Sequence, residues 1–241
     1  MRKNETDYSN GGGGFSMEPD NLLLDQYVLA QARYEFPKIC FLPTASGDQD
    51  NYVERFYKAF KILPCIPSHL SLFEPSFANL EKFVLEQDII YVGGGNTRNM
   101  LVLWKEWGLD SILRKAYEDG IILAGLSAGS ICWFEEGLTD PLNAPLNKLN
   151  CLGLLKGSNC PHYKEEGKRR PAYHELISNG QMLAGYAVED GSALHFIDES
   201  LHIAVSSRPE AKAYYVQNEE GIVKERELKM IYMGNNRGWI S

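Results

Sequence analysis

The sequence predicts an α/β protein with a mainly parallel sheet, because short apolar runs alternate with helix-like segments along most of the chain. Strand-like runs occur at Lys38 to Leu42, Asp88 to Val92 and Ile121 to Ala124, and each is followed by Gly or Pro. Short apolar strands of this kind suit a sheet that is covered on both faces. The alternation therefore favours a three-layer α/β/α arrangement.

The segments between these runs have helical periodicity, and the last third of the chain has a different pattern. The helical segments are Leu22 to Tyr34, Tyr52 to Ile62, Leu80 to Leu85, and Thr97 to Tyr117 with a break near Gly108. After Tyr186, short alternating runs are separated by turns, which predicts a C-terminal antiparallel meander at the edge of the sheet. These runs are Ala193 to Ile197, His202 to Val205 and Ala213 to Val216.

Composition sets the broad class of the protein. The chain has 241 residues, of which 44% are hydrophobic, and it shows no internal linker or repeat, so we expect a single domain over residues 1–241. A formal net charge of −8 disfavours nucleic acid as a partner, because phosphate binding needs a clustered positive surface. The longest basic cluster is short, at Lys168-Arg169-Arg170.

The sequence also indicates a compartment and excludes some cofactors. It has no run of eighteen apolar residues and no apolar segment at its amino terminus, so we expect a cytoplasmic protein without a membrane partner. The five cysteines form no Cys-x-x-Cys pair and are expected to be reduced. No histidine pair has the helical spacing of a zinc site, so neither a metal nor another cofactor is expected.

The strongest chemical motif is Gly125-Leu126-Ser127-Ala128-Gly129. It follows the apolar run that ends at Ala124 and precedes Ser130 to Glu135, which we expect to start a helix. A serine in a tight turn from strand to helix has its hydroxyl lifted clear of the backbone, and small neighbours make that turn possible. Ser127 is therefore the candidate nucleophile, although a glycine-rich turn with a passive serine would give the same pattern.

A serine nucleophile needs a base and an acid that orients the base. Of the five histidines, His162 stands in a loop after the apolar run Leu152 to Leu155, where active sites of open α/β sheets gather. His174 falls in a helical segment, and His195 and His202 fall in the meander, so we interpret these three as packing or surface residues. The acid candidates are Glu189 and Asp190, which end the strand-like run Leu183 to Val188.

Four motifs together resemble the peptidase E family, which also contains cyanophycinases. They are Val92-Gly93-Gly94-Gly95-Asn96-Thr97, Gly125-Leu126-Ser127-Ala128-Gly129, Asn159-Cys160-Pro161-His162-Tyr163 and Glu189-Asp190-Gly191-Ser192, in the family's order. The resemblance covers most of the chain. It implies a fold like that of class I glutamine amidotransferases and a serine peptidase that acts on small peptides through an acyl-enzyme.

The resemblance also implies roles for particular residues. It implies a catalytic triad of Ser127, His162 and Asp190, with Asp190 standing where the family has Glu and with Glu189 as a second candidate. It implies an oxyanion hole at the backbone amides of Gly95 and Ala128. It further implies that Arg169 binds an acidic substrate side chain, although the family's Glu-Thr-Arg is replaced here by Gly167-Lys168-Arg169.

Two other functions are compatible with the motifs. An α/β-hydrolase esterase would use the order serine, acid, histidine, with Asp190 and His195 or Asp198 and His202. A non-catalytic binding domain of the same fold would keep the motifs without turnover. A small peptide is the expected partner, and a homodimer is left open.

The amino terminus does not fit the alternating pattern. A glycine run that opens a loop should follow an apolar strand, yet residues 3–10 are almost all polar. We therefore expect these residues to be poorly ordered or only weakly paired. A glycine-rich turn after the first strand of such a sheet lies beside the turn that follows the third strand, so we expect Gly11 to Ser16 to form a loop near the rim of the active site.

Overall fold

The computed structural model describes residues 6–140, 145–164 and 166–235, and these contain fourteen strands and eight α-helices. The strands are β1 (Thr6–Asn10), β2 (Lys38–Leu42), β3 (Ile66–His69), β4 (Ile89–Val92), β5 (Ile122–Leu126), β6 (Phe134–Thr139), β7 (Asn147–Asn150), β8 (Leu155–Cys160), β9 (Gly185–Val188), β10 (Ser192–Ile197), β11 (Ser200–Ser206), β12 (Ala213–Glu219), β13 (Ile222–Glu227) and β14 (Met230–Tyr232). The helices are α1 (Gly14–Met17), α2 (Leu23–Ala30), α3 (Asp50–Phe60), α4 (Leu80–Leu85), α5 (Thr97–Glu106), α6 (Leu109–Glu118), α7 (Ala128–Ile131) and α8 (Arg169–Ser178).

Eight strands form the larger sheet, in the order β14-β11-β10-β1-β5-β4-β2-β3. Its half from β1 to β3 is parallel throughout, and β10 joins β1 as an antiparallel neighbour. The predicted α/β fold with a mainly parallel sheet and added C-terminal antiparallel strands is confirmed.

Helices cover both faces of this sheet, as its apolar strands require. In β2, Ile39 and Phe41 pack against α1, α2 and α3, whereas Cys40 and Leu42 face the cluster formed with α4, α5 and α6. Successive side chains of a strand point to opposite faces, so a strand that is buried on both faces is apolar without interruption. This explains why β2, β4 and β5 could be recognised as short apolar runs.

Six strands form a second sheet, in the order β13-β12-β9-β8-β6-β7, which the sequence did not predict. The expected terminal meander is divided between the two sheets. Strands β10, β11 and β14 extend the larger sheet, and β12 and β13 pair in the second sheet next to β9. The site described below lies where strands of both sheets end.

The expectation of weak pairing at residues 3–10 was wrong for Thr6 to Asn10, and residues 3–5 lie outside the described residues. Residues Thr6 to Asn10 form β1, which pairs with β10 on one side and with β5 on the other, in the interior of the larger sheet. Tyr8 and Ser9 are at most 1% exposed. Their polar atoms are bonded to partners from distant parts of the chain, and this is why a polar segment can lie inside the sheet.

The helix expected from Ser130 to Glu135 is also shorter than predicted. Helix α7 ends at Ile131, and Phe134 already begins β6. The carbonyl of Cys132 accepts a hydrogen bond from the amide of Leu152, and the carbonyl of Trp133 accepts one from the amide of Leu154. These bonds to the segment before β8 take the place of further helical turns.

All five cysteines are free, and Cys40, Cys132 and Cys160 are buried. No helix in the described part of the chain is long and apolar enough to cross a membrane.

Candidate active site

Ser127 occupies a sharp turn between β5 and α7. Its backbone has φ 54° and ψ −111°, in the region of positive φ that residues with a Cβ rarely adopt. The two glycines of the motif allow this turn. A Cβ at Gly125 would lie 2.4 Å from the carbonyl oxygen of Gly129, and one at Gly129 would lie 2.3 Å from that of Val92.

His162 approaches the hydroxyl of Ser127 from the loop after β8. The two atoms, His162 Nε2 and Ser127 Oγ, are 2.9 Å apart. His162 is only 9% exposed and also has a positive φ, 53°. The amide of Tyr163 donates to the carbonyl of Val188 at the end of β9, which holds this loop against the next strand of the second sheet.

Asp190 completes the arrangement on the far side of the histidine. Its Oδ1 lies 2.6 Å from His162 Nδ1, and the residue is 7% exposed. A carboxylate only accepts hydrogen bonds, so Nδ1 carries the ring proton and Nε2 is left to accept the Ser127 proton. The three side chains therefore form a continuous chain of hydrogen bonds.

Glu189 is directed elsewhere. Its carboxylate accepts hydrogen bonds from the Tyr214 hydroxyl at 3.1 Å and from the Lys212 amide at 3.1 Å. Adjacent residues at the end of an extended segment point to opposite sides, and only Asp190 faces the histidine. The structure thus separates the two acid candidates that the sequence left open.

The backbone amides expected to form an oxyanion hole belong to Gly95, which lines a pocket together with Ser127, and to Ala128, which follows Ser127 in the chain. Ala128 is the first residue of α7, where amides have no acceptor within the helix. Gly95 has φ 140°, and a Cβ there would lie 2.2 Å from the carbonyl oxygen of Ala45, so the position requires glycine. The preceding amide, of Gly94, donates to the Tyr52 hydroxyl at 3.1 Å.

The glycine run after β1 reaches the histidine and the carboxylate. A Cβ at Gly12 would lie 2.2 Å from Asp190 Oδ1 and 2.8 Å from His162 Nδ1. The carbonyl of Gly12 accepts a hydrogen bond of 2.6 Å from the Gly191 amide, next to Asp190. The sequence predicted this turn at the rim of the site, but not that Gly12 packs against the two side chains.

A buried network lies behind the serine and the histidine. Ser9, Ser130 and Asn159 are each 0% exposed. Ser130 Oγ lies 2.6 Å from Ser9 Oγ and 3.1 Å from Asn159 Oδ1, and Asn159 Nδ2 lies 3.2 Å from Ser9 Oγ. This triangle joins β1, α7 and β8, and so ties the element that carries Ser127 to the strand that leads to His162.

An open pocket of about 500 Å³ lies over Ser127 and His162. It is lined by Ser16, Met17, Ala45, Ser46, Gln49, Tyr52, Arg55, Gly94, Gly95, Leu126, Ser127 and His162. The volume is in the range of small-molecule sites.

Arg169 is not among the residues that line this pocket. Its side chain is 7% exposed, and its guanidinium donates to Glu166 at 2.5 Å and to the Leu138 carbonyl at 3.1 Å. These contacts fasten the start of α8 to the end of β6. They do not support the expectation that Arg169 binds an acidic substrate, which stays a prediction.

His195, the alternative histidine of an esterase-type triad, lies within β10. Its ring nitrogens bond to the hydroxyls of Tyr8 and Tyr27, at 3.0 Å and 2.9 Å. Burial lowers its pKa from the ordinary value to about 3, so the ring is neutral at physiological pH. The histidine that contacts Ser127 is His162, and His195 is a packing residue as expected.

The fold and this arrangement of serine, histidine and carboxylate define the class of protein as a serine-type hydrolase of α/β architecture. Comparison with known proteins narrows the class. The sequence profile of Peptidase family S51 matches residues 10–204, and the chain belongs to this family of serine peptidases.

The similar proteins are described as peptidases. The chain is 62% identical over 224 residues to the uncharacterized peptidase YgaJ of Bacillus subtilis (strain 168), covering 93% of this chain and 97% of the relative. Among solved structures, it is similar to a peptidase from an acI-B1 Actinobacterium, with a TM-score of 0.71, 17% identity and coverage of 95% of this chain and 96% of that chain. It is also similar to a candidate peptidase E protein from Listeria monocytogenes EGD-e, with a TM-score of 0.58, 18% identity and coverage of 94% and 100%. At these identities the two structures show a shared fold.

Proposed function

We propose that this chain hydrolyses short peptides through an acyl-enzyme on Ser127, with His162 as the base and Asp190 as the residue that orients it. The observation that carries the proposal is the chain of hydrogen bonds from Ser127 Oγ to His162 Nε2 and from His162 Nδ1 to Asp190 Oδ1, at 2.9 Å and 2.6 Å. Both distances are within the reach that proton transfer and orientation require.

The reaction follows from the proton positions. Ser127 Oγ attacks the peptide carbonyl as its proton passes to His162 Nε2, and Asp190 stabilises the positive ring that results. The tetrahedral intermediate collapses when His162 gives that proton to the leaving amine, so the peptide bond breaks and an ester to Ser127 remains. A water then attacks the ester as His162 takes its proton, and His162 returns that proton to Ser127 Oγ when the ester bond breaks and the second product leaves.

The amides of Gly95 and Ala128 would stabilise the negative oxygen of the intermediate. The backbone of Gly95 is packed closely against that of Ala45. Ala128 is the first residue of α7, so its position is fixed by the helix. Donors that are already in place when charge develops lower the barrier without reorganisation.

The pocket supports a small substrate. A volume of about 500 Å³ accommodates a few amino-acid residues and not a folded protein. Peptidase E enzymes remove an amino-terminal Asp from dipeptides, and cyanophycinases cut β-aspartyl links. Both substrate types belong in the first assay.

The test is a screen of dipeptides with acidic, β-linked and neutral amino-terminal residues, with wild type and Ser127→Ala compared. We expect at least one class to be hydrolysed, and Ser127→Ala to lower kcat by about 10³-fold or more, as loss of a nucleophile does. Ser46→Ala is the matched control, since Ser46 lines the same pocket and its hydroxyl bonds to the Pro43 carbonyl. Turnover that survives in Ser127→Ala would contradict the proposal. A lack of turnover in every variant, including wild type, would favour the alternative of a non-catalytic binding domain with this fold.

A further inference from the structure

Arg55 is the one permanently charged side chain among the described residues that line the pocket over Ser127. The other residues of the lining are neutral or, like His162, change charge during the proposed reaction. No carboxylate lines the pocket in the part of the chain that the structure describes, although the protein as a whole has a net charge of −8. The described part of the lining therefore carries one positive side chain and no negative one in an acidic protein.

Arg55 is held in place, but most of its hydrogen-bonding capacity is left over. It lies on α3, with Nη1 donating to the Ser16 carbonyl at 3.2 Å and with the guanidinium 4.8 Å from the centre of the Tyr52 ring. It forms no ion pair with the described residues. A guanidinium has five N–H donors in a rigid fork, and one of these is used here.

The same contacts set the position of Arg55 relative to the reacting serine. The Tyr52 ring extends from the guanidinium to the Gly94 amide, which donates to its hydroxyl. A Cβ at Gly94 would lie 3.2 Å from Ser127 Cβ, so Gly94 is in contact with the nucleophile. One tyrosine side chain thus separates the positive group from Gly94, which contacts Ser127.

We propose that Arg55 binds a carboxylate of the substrate, and that this site selects short peptides with a carboxylate near the cleaved bond. The inference rests on the proposed function, because Ser127 marks the cleaved bond. Planar carboxylates match the guanidinium fork through paired hydrogen bonds. The carboxylate comes either from an acidic side chain or from the free carboxyl terminus, and Arg55 supplies the same chemistry for both.

Direct binding tests this without relying on turnover. Four peptides, Asp-Ala, Asn-Ala and the C-terminal amides of both, are titrated into Ser127→Ala and into Ser127→Ala/Arg55→Ala by calorimetry. Asp against Asn isolates a side-chain carboxylate, and acid against amide isolates the terminal one. In Ser127→Ala, we expect that replacing Asp by Asn, or the terminal acid by the amide, weakens binding about tenfold or more, as loss of a charge-assisted pair does. In Ser127→Ala/Arg55→Ala, we expect the same replacement to change the affinity by less than about twofold.

Lys58→Ala is the control, because Lys58 lies on the same helix but does not line the pocket over Ser127. It should leave both differences unchanged. The proposal is overturned if neither carboxylate matters, or if the preference for a carboxylate survives Arg55→Ala. An Arg55-dependent preference for a carboxylate in a protein that hydrolyses none of the peptides would instead keep this inference and remove the proposed function.

Discussion

A Cβ at Gly12 would lie 2.2 Å from Oδ1 of Asp190, so any residue but glycine at position 12 must push against the carboxylate that contacts His162. The same Cβ would lie 2.8 Å from His162 Nδ1. Both neighbours are buried and cannot move away into solvent. The glycine run after β1 thus forms one wall of the hydrogen-bonded chain that leads to Ser127.

We expect Gly12→Ala to lower kcat by about 10²-fold or more, because displacement of a positioned base by a fraction of an ångström misaligns proton transfer. Steady-state kinetics on the best substrate measures this. Gly167→Ala is the matched control, since a Cβ at Gly167 meets nothing within 4 Å. An active Gly12→Ala protein would show that the His162 and Asp190 geometry tolerates displacement.

The two neighbouring acids should differ in what they affect. Asp190→Asn keeps the shape of the side chain but removes the charge that stabilises protonated His162, so kcat should fall by about 10²–10⁴-fold. Glu189→Gln alters bonds to Tyr214 and Lys212 and should mainly lower stability. Kinetics and thermal unfolding of both variants make the comparison. The reverse pattern, with Glu189→Gln inactive and Asp190→Asn active, would contradict the assignment.

Asp25 should make stability fall as the pH rises. Burial raises its pKa to about 7, against the lowering effect of hydrogen bonds from the Tyr91 hydroxyl and the Phe15 amide. A carboxyl whose pKa is higher in the folded state than in the unfolded state stabilises the fold at low pH. That contribution is lost as the pH rises from about 4 to about 7.

Relative to Asp25→Asn, wild type should therefore lose on the order of a few kcal/mol of unfolding free energy between about pH 4 and about pH 8. Urea unfolding of both proteins at several pH values measures the difference. The exposed Asp20→Asn is the control. A constant difference between wild type and Asp25→Asn across this range would mean that Asp25 does not take up a proton on folding. Asp25 lies close to the start of α1, because a Cβ at Gly14 would be 2.9 Å from its Oδ1, and α1 also carries Ser16 and Met17 of the pocket lining.

Arg169 should act on stability and not on substrate choice, given its contacts. Arg169→Ala leaves the Leu138 carbonyl and Glu166 without their partner. We expect a lower melting temperature and equal losses of kcat/KM on acidic and neutral peptides. Arg170→Ala, which breaks a pair whose arginine side chain is 59% exposed, should be milder. A rise in KM of about tenfold for acidic peptides alone would restore the role that the sequence suggested for Arg169.

The sequence predicted those elements of the fold whose pattern is local. It missed the elements that depend on partners far away in the chain. Strands β2, β4 and β5 are apolar because both of their faces are covered, so each could be recognised from its own residues. The turn at Ser127 could be recognised in the same way, because a tight turn requires the glycines on either side of it. Strand β1 was missed because Ser9 is satisfied by Ser130 and Asn159, more than a hundred positions away. No local pattern shows that a polar segment will find such partners.

The same distinction applies to the candidate active site, where some residues could be predicted from local motifs and others could not. The motifs around Ser127, His162 and Asp190 could be identified from their own sequences and their order. The environment of the pocket could not, because Arg55 reaches it only through the packing of α3 beside the turn that carries Ser16. The sequence therefore directed attention to Arg169, which is not among the described residues that line this pocket.

The central claim is that Ser127 is the nucleophile activated by His162, and one labelling experiment tests it directly. Wild type, Ser127→Ala, His162→Ala and Ser46→Ala are treated with a phosphonylating reagent, and the modified residue is located by mass spectrometry of the digested protein. The account predicts a single adduct on Ser127 in wild type and Ser46→Ala, none in Ser127→Ala, and labelling slowed by at least about 10²-fold in His162→Ala. Labelling of another serine, or equally fast labelling of Ser127 without His162, would contradict it.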